Sequence, residues 1–126
     1  PCGLMSKVLV VDDEKEICLL LSSMMKKMGF ASHHAHSLNE GKLKLDQEDY
    51  EIIFLDLNLP DGIGFDLIDY IKGKTTNASI IVISAYDGSV ERERAINEGA
   101  NYFMPKPFSK MSVVDAFDQL NISYSV

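Results

Sequence analysis

The chain has 126 residues, 46% of them apolar and 25% charged, a balance that suits one globular domain and is too apolar for disorder. Twelve Lys and Arg against nineteen Asp and Glu leave a net charge of −7, which argues against a grip on nucleic-acid phosphates. No run of about eighteen apolar residues is present to span a membrane, and the start Pro1-Cys2-Gly3-Leu4 lacks the basic and apolar regions of a secretory signal.

Residues 1–4 read as a leader ahead of Met5, and residues 5–124 as the domain. The first predicted strand is Lys7–Val11, ending in the unbroken run Val8-Leu9-Val10-Val11. A helix follows over Glu14–Met28, with Ile17, Leu20, Leu21, Met24 and Met28 as its core stripe, acids at its start, Lys26-Lys27 near its end and Gly29 beyond. Cys18 lies on the apolar face of that helix. Neither it nor Cys2 has metal-ligand spacing, so reduced thiols and a cytoplasmic location are expected. The second strand, Phe30–Ala35, leads through a capping box at Ser37-Leu38-Asn39-Glu40 into the second helix. His33, His34 and His36 cluster here, and a half-exposed edge strand explains them better than a metal site or a phosphohistidine.

The third strand, Ile52–Leu55, is apolar throughout, and the third helix follows Pro60-Asp61-Gly62, sharing Gly64, Leu67, Ile68 and Ile71 on one face and ending at Gly73. The fourth strand is Ser79–Ile83. The fourth helix, Val90–Glu98, is the least apolar, and its Glu91-Arg92-Glu93-Arg94 run reads as a solvated face. The fifth strand, Asn101–Met104, ends near Pro105, which an edge strand tolerates. The fifth helix, Lys110–Leu120, is capped by Ser109 and buries Val113, Ala116, Phe117 and Leu120. Unbroken apolar strands alternating with helices imply right-handed crossovers and a parallel sheet covered on both faces. Ligands in such folds bind beyond the carboxyl ends of the strands.

Those ends carry Asp12 and Asp13, Asp56, Ser84 and Lys106, the last followed by Pro107. Three neighbouring carboxylates repel one another unless a cation neutralises them. Oxygen ligands without His or Cys point to Mg²⁺, or Mn²⁺ as a substitute, rather than Zn²⁺. A carboxylate beside such an ion can act as a nucleophile on phosphorus, with Lys106 and the Ser84 hydroxyl holding the other phosphoryl oxygens.

Val10-Val11-Asp12-Asp13-Glu14, Leu55-Asp56-Leu57-Asn58-Leu59-Pro60-Asp61-Gly62, Ile83-Ser84-Ala85 and Lys106-Pro107-Phe108 closely resemble the receiver domain of bacterial two-component response regulators. The likeness runs from Lys7 to Leu120, so the domain at 5–124 is expected to be a receiver. The resemblance implies an α/β, flavodoxin-like, doubly wound five-stranded parallel sheet of order 2-1-3-4-5 flanked by five helices. It implies Mg²⁺-dependent transfer of a phosphoryl group from the phosphohistidine of a sensor histidine kinase or phosphotransfer protein to Asp56. Asp13 would be a direct Mg²⁺ ligand with Asp12 helping through water, and Asp56 and the backbone carbonyl of Asn58 would complete the protein ligands. Ser84 would be the switch hydroxyl, Phe103 the switch aromatic, and Lys106 the phosphoryl-binding lysine on a cis Lys106–Pro107 bond. The expected product is a signalling switch rather than an enzyme, although it supports its own phosphotransfer and autodephosphorylation. Its partner, an effector or a second receiver, would dock on the fourth helix, fifth strand and fifth helix. Phe103 departs from the family's frequent tyrosine and has only packing to work with.

Rival readings fail at particular positions. A haloacid-dehalogenase-type phosphatase needs a second Asp where Asn58 stands. A dinucleotide-binding fold needs Gly-x-Gly-x-x-Gly where Asp12-Asp13-Glu14 stands, and a flavodoxin needs a Ser/Thr-rich loop there. The remaining alternative is a receiver-like module that binds partners without being phosphorylated.

Overall fold

A computed structural model describes residues 6–74, 77–85 and 88–125. The expected leader at 1–4 and Met5 lie outside the described residues. Five strands, β1 (Lys7–Val11), β2 (Ala31–Ala35), β3 (Ile52–Asp56), β4 (Ser79–Ser84) and β5 (Tyr102–Pro105), form one parallel sheet in the order β2-β1-β3-β4-β5. Five helices alternate with them: α1 (Lys15–Lys27), α2 (Leu38–Gln47), α3 (Phe65–Lys72), α4 (Ser89–Glu98) and α5 (Lys110–Gln119). The fold is the parallel sheet between two helix layers that the apolar strands imply, in the doubly wound, flavodoxin-like order that the family resemblance implies. Strand ends differ from the sequence reading by about one residue, so Asp56 and Ser84 close their strands rather than following them.

Strand alternation divides the core into two layers. Leu9, Val11, Ile53, Leu55, Ile80 and Val82 face Leu38, Leu45, Leu67, Ile68, Ile71 and Ala95 on α2, α3 and α4. Val8, Val10, Phe54, Ile81 and Ile83 face Cys18, Leu21 and Met25 on α1, and Val113, Ala116 and Phe117 on α5. Central strands are therefore buried on both faces, which is why they show no polar alternation. Among the described residues no helix is long and apolar enough to cross a membrane.

Two local expectations are corrected. Leu20, placed in the α1 core stripe, is 42% exposed. Cys18, Leu21 and Met25 centre the buried face, and at 100° per residue Leu20 lies roughly 130° from that centre. The capping box of α2 is only half formed. Ser37 Oγ accepts from Glu40 N at 3.1 Å, but the Glu40 carboxylate accepts from His36 N at 3.1 Å rather than from Ser37 N. The Asp61 carboxylate completes the cap, accepting from Leu38 N at 2.7 Å and Asn39 N at 3.0 Å. Asp61 closes a short antiparallel ribbon of Asn58–Leu59 with Gly62–Ile63. The sequence reading has no counterpart for this ribbon, because two-residue strands carry no periodicity.

Candidate functional site

Register alone brings the acids together. Val11 pairs with Leu55, so the next residues, Asp12 and Asp56, stand level on neighbouring strands. Asp56 pairs with Ile83, putting Ser84 one step beyond it, and Ser84 pairs with Pro105, just before Lys106. Lys106 N donates to the Ser84 carbonyl at 2.7 Å, tying the two strand ends together. The Lys106–Pro107 peptide bond is cis.

The side chains converge as the strands do. Carboxylate oxygens of Asp12, Asp13 and Asp56 lie within 4.8 Å of one another. Asp12, Asp56 and Ser84 are buried, while Asp13 is exposed at the rim. Lys106 Nζ sits 2.9 Å from Asp12 Oδ2, 2.8 Å from Glu14 Oε1 and 3.5 Å from Asp56 Oδ2. The remaining oxygens take backbone donors: Asp12 Oδ1 accepts from Glu14 N at 2.8 Å, and Asp56 Oδ1 from Asn58 N at 3.2 Å.

Burial, and then the Asp12 charge, push the Asp56 carboxyl up to about 6, despite the Asn58 amide and the Lys106 ammonium pulling it down. Burial disfavours the Lys106 ammonium, but hydrogen bonding to Glu14 and Asp12 and the Asp56 charge overcome this and hold its pKa above the ordinary lysine value. The site thus stores negative charge that one lysine only partly offsets. Asp12 Oδ2 is fully buried, and the Lys106 ammonium, 2.9 Å away, is shared with Glu14 and Asp56 rather than given to it alone. Three carboxylates clustered around one shared ammonium, with oxygen donors throughout, fit a hard divalent cation such as Mg²⁺.

Asp12, Asp13, Asp56, Asn58, Ser84 and Lys106 lie at or beside this edge of the sheet, whereas Phe103 lies two residues inside it, opposite Val82. Phe103 is on β5, 4% exposed, with the Arg92 guanidinium 5.2 Å from its ring centroid. Its ring is already buried in the layer beneath α4. Arg94 similarly lies 4.1 Å from the Phe65 centroid. Two arginines of the run expected to be a solvated face thus lie over aromatic rings of α3 and β5. Glu14 is the contact that sequence reasoning missed. It stands in the Asp12-Asp13-Glu14 run, but nothing in that run says which acid Lys106 meets.

Gly64 shapes the loop after Asp56. A Cβ there would stand 2.5 Å from the Asp56 carbonyl oxygen and 2.9 Å from Leu57 Cα. Only glycine lets Gly64 N approach and donate to the Leu57 carbonyl at 2.8 Å.

Residues 8–118 match the response regulator receiver domain family. The chain is 33% identical over 101 residues to the response regulator protein PilR of Pseudomonas aeruginosa, covering 80% of this chain and 23% of that protein. It is 31% identical over 110 residues to the transcriptional regulatory protein CpxR homolog of Haemophilus influenzae, covering 87% and 48% respectively. The chain therefore spans less than half the length of these relatives. A response regulator from Burkholderia pseudomallei, solved with a phosphorylated aspartic acid, a calcium ion and citrate, superposes with a TM-score of 0.82 at 27% identity, covering 88% of this chain and 65% of that one. The non-phosphorylated HemR receiver domain of Leptospira biflexa superposes with a TM-score of 0.84 at 27% identity, covering 96% and 97%.

Proposed function

Since the chain belongs to the response regulator receiver domain family of two-component systems, we propose that it is a switch set by phosphorylation of Asp56. The convergence of Asp12, Asp13 and Asp56 around the Lys106 ammonium at the carboxyl edge of the sheet carries this reading. An Asp56 carboxylate oxygen attacks the phosphorus of a phosphohistidine on a sensor histidine kinase or phosphotransfer protein. The new O–P bond forms as the N–P bond breaks, and the imidazole leaves with the bonding pair. Asp12, Asp13, Asp56 and the Asn58 carbonyl are the groups that would hold Mg²⁺, or Mn²⁺ in its place. When bound, the ion supplies the positive charge that three carboxylates and a phosphoryl group require.

The chain's own residues do the rest. Lys106, already between Asp12, Glu14 and Asp56, exchanges carboxylate for phosphoryl oxygen with little movement. Burial of Asp56 excludes competing water. The Ser84 hydroxyl closes on the phosphoryl group as the switch, and Phe103, packed under Arg92, transmits the change to α4 and β5. Signal leaves through α4, β5 and α5 to an effector or a second receiver. The chain is a signalling element rather than an enzyme acting on free substrates, although it also hydrolyses its own aspartyl phosphate.

Intact-mass analysis after treatment with acetyl phosphate and Mg²⁺ should show one phosphoryl adduct, absent in EDTA and in Asp56→Asn. Asp13→Ala should lose the adduct while keeping its far-UV circular dichroism and its melting temperature, or gaining slightly in the latter as like-charge repulsion is relieved. An undiminished adduct in Asp56→Asn would place the phosphoacceptor elsewhere and refute the reading, and no adduct on the parent chain would leave an interaction module that signals without phosphorylation.

A further inference from the structure

Away from the acidic edge, Cys18 of α1 meets His34 and His36 at the end of β2. One ligand atom from each lies within 4.8 Å of the other two. The arrangement is tertiary. His34 pairs with Val10, whose side chain belongs to the α1–α5 layer, so both His34 and His36, two residues apart, project toward α1. Ser22, one turn along α1 from Cys18, meets His34 Nε2 through its hydroxyl. His33 points to the opposite face, where its Nδ1 meets the Tyr50 hydroxyl at 2.8 Å and Glu48 Oε2 at 3.0 Å.

We propose that Cys18, His34 and His36 form a binding site for a borderline-soft divalent cation of the Zn²⁺ class, separate from the oxygen-lined site at Asp56. One sulfur and two imidazole nitrogens are a zinc-type donor set, whereas Mg²⁺ selects oxygen. Around a tetrahedral zinc the donor atoms stand about 3.3–3.6 Å apart, so donors within 4.8 Å of one another need close by no more than about 1.5 Å. His36 is half-exposed just past the strand end, so its ring has solvent rather than packed side chains on one side. Cys18 is buried, with its Sγ donating to the Asp12 carbonyl at 3.4 Å, so the thiol is held at the inner wall of the site. Glu40 Oε1 lies 3.8 Å from His36 Nδ1, the position of an outer carboxylate that orients a ligating imidazole and leaves Nε2 for the ion. Three protein ligands leave a fourth position for water. On binding, Cys18 exchanges its S–H for an S–metal bond and the proton passes to solvent.

Co²⁺ is the probe, titrated into the full chain carrying Cys2→Ser, so that Cys18 is the sole thiol. A thiolate-to-cobalt charge-transfer band in the near ultraviolet, with tetrahedral visible bands, should saturate at one equivalent. Zn²⁺ should displace them and a large excess of Mg²⁺ should not. Cys18→Ser should lose the charge-transfer band. His36→Ala, at a half-exposed position that does not threaten folding, should weaken Co²⁺ binding at least tenfold, while His33→Ala should leave it unchanged. The proposal is overturned if no bands form, if Mg²⁺ abolishes them, if they survive His36→Ala unchanged, or if His33→Ala removes them.

Discussion

Burial leaves Asp56 a reluctant carboxylate, pushed up to about 6 with Asp12 beside it. An unfolded aspartate ionises near 3.9. Between about pH 4 and pH 6 the folded chain keeps a proton that the unfolded chain has lost, so this residue's contribution to stability falls as pH rises through that window. Urea denaturation in EDTA should show the parent losing on the order of 1–3 kcal/mol relative to Asp56→Asn between pH 4 and pH 6.5. Parallel pH profiles would show that Asp56 ionises as readily in the folded chain as in the unfolded one. Most of this chemistry is legible in the sequence, because Asp12, Asp13, Asp56 and Lys106 stand at the ends of apolar runs. The Lys106–Glu14 contact is not, because it depends on how a flexible side chain chooses among neighbouring acids.

Elements differ in how firmly they are held. The loop from Asp56 to α3 is fixed by the approach of Gly64 to the backbone of Asp56 and Leu57. Gly64→Ala must move main-chain atoms rather than a side-chain end, so it should cost about 1–3 kcal/mol in chemical denaturation and lower the phosphoryl adduct yield. Wild-type stability with full adduct would mean the loop relaxes at no cost. Helix α4 is the opposite case. Ala95 is its buried residue, Val90 and Ile96 are exposed, and Arg92 and Arg94 lie over Phe103 and Phe65 instead of anchoring in the core. Hydrogen exchange should therefore be faster in α4 than in α1, α3 or α5. It should also change there, and in β5, on adding a beryllofluoride phosphate mimic. Changes confined to the strand ends would refute output through α4 and β5. The weak apolar pattern of α4 was plain in the sequence. Arginine–aromatic stacking was not, since Phe65 lies 29 residues before Arg94 and Phe103 lies 11 after Arg92, and each pair is joined only by packing.

At the scale of the molecule, the sheet is a wall between two helix layers, and the α1–α5 layer is built around Phe117. Its ring lies 5.7 Å from Phe30 edge-on, 6.3 Å from Phe54 and 6.0 Å from Tyr124. It joins α5 to the central strand and to the segment after it. Phe117→Ala should cost about 3–5 kcal/mol by urea denaturation. The loss should appear as a lower midpoint with unchanged slope if the domain still unfolds as one unit. A loss below about 1 kcal/mol would mean that the layer collapses into the space left behind.

Local chemistry settled much of this protein before folding is considered. Unbroken apolar strands require burial on both faces and hence helices on both sides, and parallel strands require their carboxyl ends, with Asp12, Asp56, Ser84 and Lys106, to share one edge. These follow from patterns within a few residues of each position. What only the tertiary structure decided depends on distance through space between residues that no periodicity relates. Leu20 turned outward because Cys18 and Met25 rotate the buried face of α1. Asp61 capped a helix 23 residues earlier. Cys18 came to stand beside His34 and His36 because α1 packs across β2, a contact set by the crossover from β1 and written in no spacing of the chain.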